Sequence, residues 1–265
     1  MGRTQITKMS GARPPAVAGL FYPGDPGPLR GMVERMLREA GGEPEGAVPK
    51  AIIAPHAGYP YSGLIAGNAF EPFRPLAGRV GRVVVIGPSH HVAFQGLALP
   101  EADCFETPLG RVEIDLEAAR SLLEMPQVRI DDGPHLREHS LEVEVPFLQQ
   151  VLGEFRLVPL VTGSATPAEV GEALAAVWGG EETRIVVSSD LSHFLDYETA
   201  DDIVELKTPI EPRQACGAVA INGLLSLAGE ARTLRARLLD LRNSGDTAGD
   251  RERVVGYGAF SFLPD

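Results

Sequence analysis

All six histidines of this chain fall in four short stretches: His56, the pair His90-His91, His135 with His139, and His193. Three of the four stretches follow directly on apolar runs. His56 follows KAIIAP, Ser89-His90-His91 follows RVVVIGP, and Asp190 with His193 follows RIVVSS. Imidazole and thiolate are both strong ligands for Fe, Cu and Zn. Two histidines at strand ends, joined by a cysteine or a carboxylate, would make a three-donor site with one position left for water or substrate, the arrangement that catalytic metals need. The competing reading of any one histidine is a hydrogen-bonded packing residue. His91 is read as structural or as part of the rim, because neighbours on an extended segment point to opposite sides.

The elements that would position these residues are short Val- and Ile-rich runs alternating with helical patterns, the signature of βα units on a largely parallel sheet. Buried strands are predicted over residues 50–54, 82–86, 156–161 and 184–188, with a late strand over 254–262. Helices are predicted over 29–40, 64–70, 116–124, 140–152, 167–177, 215–227 and 234–241. In open α/β sheets the carboxyl ends of the strands line one crevice, so His56, His90 and Asp190 are expected to converge there. Proline and glycine are spread through short punctuation such as Gly87-Pro88, Asp132-Gly133-Pro134 and Ser244-Gly245-Asp246, with no long linker. One domain spanning residues 1–265 is therefore expected.

Composition narrows the function classes. With 24 Lys and Arg against 36 Asp and Glu, the net charge of -12 would repel a phosphate backbone, and no basic stripe compensates, so nucleic acid is not an expected partner. Two cysteines, Cys104 and Cys216, are too few for a disulfide framework and fit a reducing compartment. Residues 1–15 lack the apolar run of a secretory signal. Residues 51–70 are free of charge but hold His56, Pro55 and Pro60, which makes a poor membrane helix. A soluble, cytoplasmic protein is expected.

His135-Leu-Arg-Glu-His139 matches the H-x-x-E-H pattern of inverted zinc peptidases, with Glu138 as base, but Asp132-Gly133-Pro134 starts any helix just before His135. No G-x-S-x-G elbow is present for a serine hydrolase, and no Walker loop for a nucleotide. Tyr59, Tyr61 and Phe94 are candidate pocket aromatics, with core packing as their alternative.

Several segments together resemble one family. AIIAPHAGYPYSG around His56, VVVIGPSHHV around His90, EHSLE at 138–142, VVSSDLSHF around Asp190 and His193, and ACG around Cys216 look like successive motifs of the Memo family, in the same order. AGLFYPGD, ETPLG, NSGDTAGD and VVGYGAFSF extend the likeness over nearly the whole chain. The resemblance implies an α/β fold similar to class III extradiol non-haem iron dioxygenases, with a mononuclear transition metal, Fe or Cu first and Zn next. It implies metal ligands at His56, His90 and Cys216. Asp190 and His193 take the places of the acidic and imidazole groups beside the metal, and His139 with Glu142 those of residues that line the pocket or support the ligands from behind. A predicted helix start at Ala215 would place Cys216 where a helix N-terminus lowers its pKa. Asp190 is expected to orient a histidine ring or act on a bound water, and His193 to serve as general acid or base or as an occasional ligand. The family also implies a radical-SAM enzyme and a companion protein as partners. Two functions are expected to compete: a redox-active, dioxygenase-like metalloprotein acting on an unidentified small molecule or peptide, and a non-catalytic module that holds a peptide or partner in the same crevice.

Overall fold

A computed structural model of the protein describes residues 11–41, 48–191, 196–205, 207, 209–230, 234–248 and 254–264. The chain opens with a two-residue strand, β1 (Ala12–Arg13), and helix α1 (Pro26–Arg38), whose proline sits in the first turn, where the missing N–H has no intrahelical role. Strand β2 (Ala51–Ala54) leads into α2 (Tyr59–Phe70), and β3 (Arg82–Pro88) follows. Three short strands, β4 (Leu97–Leu99), β5 (Cys104–Thr107) and β6 (Gly110–Glu113), precede α3 (Leu116–Leu122), which Asp115 caps by accepting from two amides. Next come β7 (Val128–Ile130), the one-turn α4 (Gly133–Leu136), α5 (Val145–Leu152), β8 (Arg156–Thr162) and α6 (Pro167–Ala176), which begins with a Thr166–Glu169 capping box. The chain closes with β9 (Thr183–Ser188), α7 (Asp196–Val204), α8 (Ala218–Glu230), β10 (Leu234–Asn243) and β11 (Gly256–Pro264).

Eight strands make one mixed sheet in the order β10-β11-β2-β9-β3-β8-β4-β7, and β1, β5 and β6 form a small separate sheet. The central strands β2, β9, β3 and β8 are parallel, whereas β11 runs antiparallel to β2 and β4 antiparallel to β8. Every residue of β2 and β9 is buried, as their unbroken apolar runs require when both sheet faces are covered. Ile52, Ala54, Val83 and Val85 face the cluster built with α1, α2 and α5. Ala51, Ile53, Val84 and Ile86 face the opposite cluster, built with α3, α6, α7 and α8. The fold is thus α/β, a mixed sheet flanked by helices on both faces. No helix among the described residues is long and apolar enough to cross a membrane.

The five predicted strands and most predicted helices are present, with three differences. Residues 234–241 are a strand, not a helix: β10 pairs antiparallel with β11 from Leu234 to Asn243, with a register shift between Leu238 and Asp240, and Leu234 and Ala236 are buried while Arg235 and Arg237 face solvent. That alternation has the strand period of two, and the 13 to 30 residues separating the partners concealed it. Helix α2 starts at Tyr59 rather than Leu64, with proline in its first turn. The predicted 140–152 helix begins as a 3-10 turn, Glu142–Glu144, and only then becomes α5.

Candidate metal centre

β2, β9 and β3 are neighbours in the sheet, and their carboxyl ends carry the chemistry. His56 lies two residues beyond β2, Asp190 two residues beyond β9 and His90 two residues beyond β3. Cys216 reaches the same place from the segment before α8. His56, His90 and Cys216 each offer one donor atom, and the three donors all lie within 4.8 Å of one another. His56 is buried, whereas His90 and Cys216 open to solvent, so the cluster has a covered floor and an open mouth.

The loops are locked by hydrogen bonds that fix which atom faces inward. Asp190 Oδ1 accepts from the amides of His56 and Ala57, at 2.8 and 3.3 Å. His56 Nδ1 lies 2.8 Å from Ser188 Oγ, which turns Nε2 toward Cys216 Sγ at 3.2 Å. Glu138 Oε1 takes the Nδ1 of His90 at 2.8 Å, and its Oε2 accepts the His90 amide at 2.6 Å. Both rings therefore keep Nε2 for the crevice, the way metal-bound histidines are oriented by a partner on the other nitrogen. Cys216 is held from three sides. Its amide donates to Asp190 O, the Asp190 amide donates to Sγ at 3.2 Å, and the Gly217 amide donates to Ser189 Oγ at 2.9 Å. Gly217 is required there: a Cβ would come 2.6 Å from Ser189 Cβ and 2.9 Å from the Ser188 carbonyl oxygen.

Charge follows this geometry. Burial works against the His56 cation, but the thiolate of Cys216 and the carboxylate of Asp190 outweigh it and hold the ring pKa up at about 10. Burial would raise the Cys216 thiol, yet the facing His56 charge and the bonds from His56 and His90 bring it down to about 6. His90 is opposed by burial and raised to about 9 by its bonds to Cys216 and Glu138. These mutual shifts favour a thiolate facing imidazolium rings. Glu138 lies well below the ordinary carboxylate range, because the His90 ring and the amides of His90 and Ser140 overcome its burial.

His139 lies beside the two ligand-candidate rings: its ring stacks on His90 at 4.6 Å and stands 5.4 Å from the His56 ring. Burial first, then the nearby His56 charge, lower it to about 4, so it is neutral at pH 7. Phe21, from the segment before α1, covers it at 4.8 Å. His90, Glu138 and His139 form a second group of donors, but the 2.8 Å contact from Glu138 to His90 Nδ1 makes Glu138 a partner of that ring.

Three sequence expectations change. Glu142 is not a pocket residue: its carboxylate is taken up by Arg13 Nη1 at 2.7 Å, the amides of Ala16 and Val17, and Tyr22 Oη, which tie down the N-terminal segment. Asp190 holds the His56 backbone and orients no ring; Ser188 and Glu138 do that. Helix α8 begins at Ala218, so Cys216 precedes it and is tuned by imidazoles, with no place in the first helical turn. His193 lies outside the described residues. The peptidase pair is not assembled either, since α4 ends at Leu136 and the buried His135 donates Nε2–H to Ala98 O at 3.0 Å. Tyr59 is core, donating to Val143 O. Sequence reasoning missed Ser188 and Glu144. Glu144 is fully buried and bonds Ser188 at 2.8 Å, and the only signal for it was a carboxylate inside the apolar run VEVPFL.

A family model described as Memo-like protein matches residues 13–211. The chain belongs to the Memo family. Memo relatives cover it almost end to end: a MEMO1 family protein of Methanothermobacter thermautotrophicus is 35% identical over 278 residues, 94% of this chain and 99% of that one. Another from Aquifex aeolicus is 35% identical over 272 residues, 95% and 99% of the two chains. Among solved structures, an uncharacterized protein of Escherichia coli K12 superposes on this Memo chain with a TM-score of 0.49 and 14% identity, covering 79% of this chain and 98% of that one.

Proposed function

We propose that this Memo-family protein is a metalloprotein that holds one Fe or Cu ion between His56, His90 and Cys216 and uses it for redox chemistry on a small molecule or peptide in the strand-end crevice. The observation that carries this reading is the convergence of three strong donors from three distant segments to within 4.8 Å, each ring nitrogen that faces away being held by a partner. The donor set fits such an ion: imidazoles suit Fe, Cu and Zn, and a thiolate softens the site toward copper. A bound Fe or Cu would supply one-electron chemistry and Lewis acidity. The chain's own residues do the rest. Ser188 and Glu138 hold the two rings, the Asp190 amide supports the thiolate, and neutral His139 stands beside the open side, able to take a proton from a bound molecule. Two free cysteines support the reducing, cytoplasmic setting proposed with it.

Metal analysis of anaerobically purified protein tests the reading. We expect near-stoichiometric Fe or Cu, lost in His56→Ala, His90→Ala and Cys216→Ser. An unmutated protein that takes up neither metal when either is supplied in excess would overturn it and favour the non-catalytic binding module.

A further inference from the structure

Ser188 ends β9 beneath His56, and its hydroxyl has three close partners: Ser140 O at 2.6 Å, Glu144 Oε1 at 2.8 Å and His56 Nδ1 at 2.8 Å. A hydroxyl has one proton to give and two lone pairs to receive. The carbonyl of Ser140 can only accept, so it takes the Ser188 proton. The two remaining partners must then donate. His56 does so through Nδ1–H, and Glu144 can do so only as a neutral carboxylic acid. We propose that Glu144 is a protonated positioning residue that acts through Ser188 on His56, committing the hydroxyl to accept from Nδ1–H and leaving Nε2 alone to face Cys216 and the metal.

The surroundings agree. Glu144 and Ser188 are both fully buried, and the other carboxylate oxygen of Glu144 has no partner among the described residues, which an ion would not tolerate but a neutral acid can. Burial pushes the group up to about 8, against the bond from Ser188 and the charge of His56. Were Glu144 ionised, Ser188 would have to swing its proton to it, leaving the buried Ser140 carbonyl facing an oxygen at 2.6 Å without a hydrogen between them. Ser140 follows Glu138 and His139, so that repulsion would disturb the segment that orients His90.

The protonation half of this inference is independent of the metal; the positioning half rests on the metal reading, and the experiment separates them. Infrared difference spectra of the metal-free protein against Glu144→Gln at neutral pH are expected to show the carbonyl stretch of a neutral carboxylic acid in the unmutated protein only. Zn2+ titrations then compare three variants. Glu144→Gln, whose amide still donates to Ser188, should keep its affinity within about threefold, whereas Glu144→Leu and Ser188→Ala should lose ~10–100-fold, the scale of losing a partner behind a metal-bound histidine. Absence of the acid band overturns the proposal whatever the metal does. Equal losses in Glu144→Gln and Glu144→Leu also overturn it, because they would mean that charge or shape, and no donated hydrogen, is what matters.

Discussion

At the residue scale, the same side chain takes opposite roles according to what surrounds it. His56 and His90 are charged by a thiolate and carboxylates, whereas burial drives His135 down to about 4. A base with a depressed folded pKa binds its proton more weakly than the unfolded chain does, so stability is complete above about 6.5 and falls as the pH drops toward 4. At about 1.4 kcal/mol per unit, the loss reaches at most ~3.5 kcal/mol. Glu144 has the opposite sign: its acid form is favoured in the fold, so its contribution is full below about 4.5 and is lost as the pH rises toward about 8. Urea unfolding across this range should show both limbs, with the acid limb flattened in His135→Phe and the alkaline limb flattened in Glu144→Gln.

At the element scale, the site depends on how closely loops approach the ends of strands. Gly217 lets the segment before α8 lie against β9, and Gly217→Ala should push Cys216 away from His56. Overpacking of this kind costs ~1–3 kcal/mol, and we expect Zn2+ affinity to drop about tenfold or more in a protein that still folds. The N-terminal segment is pinned by a different device, the fully buried pair Arg13–Glu142 at 2.7 Å. Arg13 also donates to the carbonyls of His135 and Glu138, so it braces the stretch that orients His90. Removing Arg13 leaves the buried Glu142 without its counter-charge, and Arg13→Ala should lose ~3–5 kcal/mol by urea denaturation.

At the scale of the whole molecule, both hydrophobic clusters share one sheet, each strand giving alternate residues to the two sides. Neither cluster can separate from the other without exposing the sheet. We therefore expect one cooperative unfolding transition, with the fluorescence of Trp178, the chain's single tryptophan, coinciding with loss of far-ultraviolet circular dichroism. Two resolved midpoints would divide the chain into separate units.

The amino-acid sequence by itself determined the central strands, because residues buried on both faces must read as unbroken Val and Ile runs, and it determined that His56, His90 and Asp190 follow their ends. Its motifs also carried the family and, through it, Cys216. Only tertiary structure decided that 234–243 pairs as a strand with β11, because a run such as LRARLLDLRN satisfies helical and strand periods alike until a partner is chosen. The same is true of polar side chains inside apolar runs. Glu142 and Glu144 are two residues apart, yet one meets Arg13 and Tyr22 and the other meets Ser188 beneath His56. Their charges and roles are set by neighbours more than forty residues away in the chain, which local sequence cannot express.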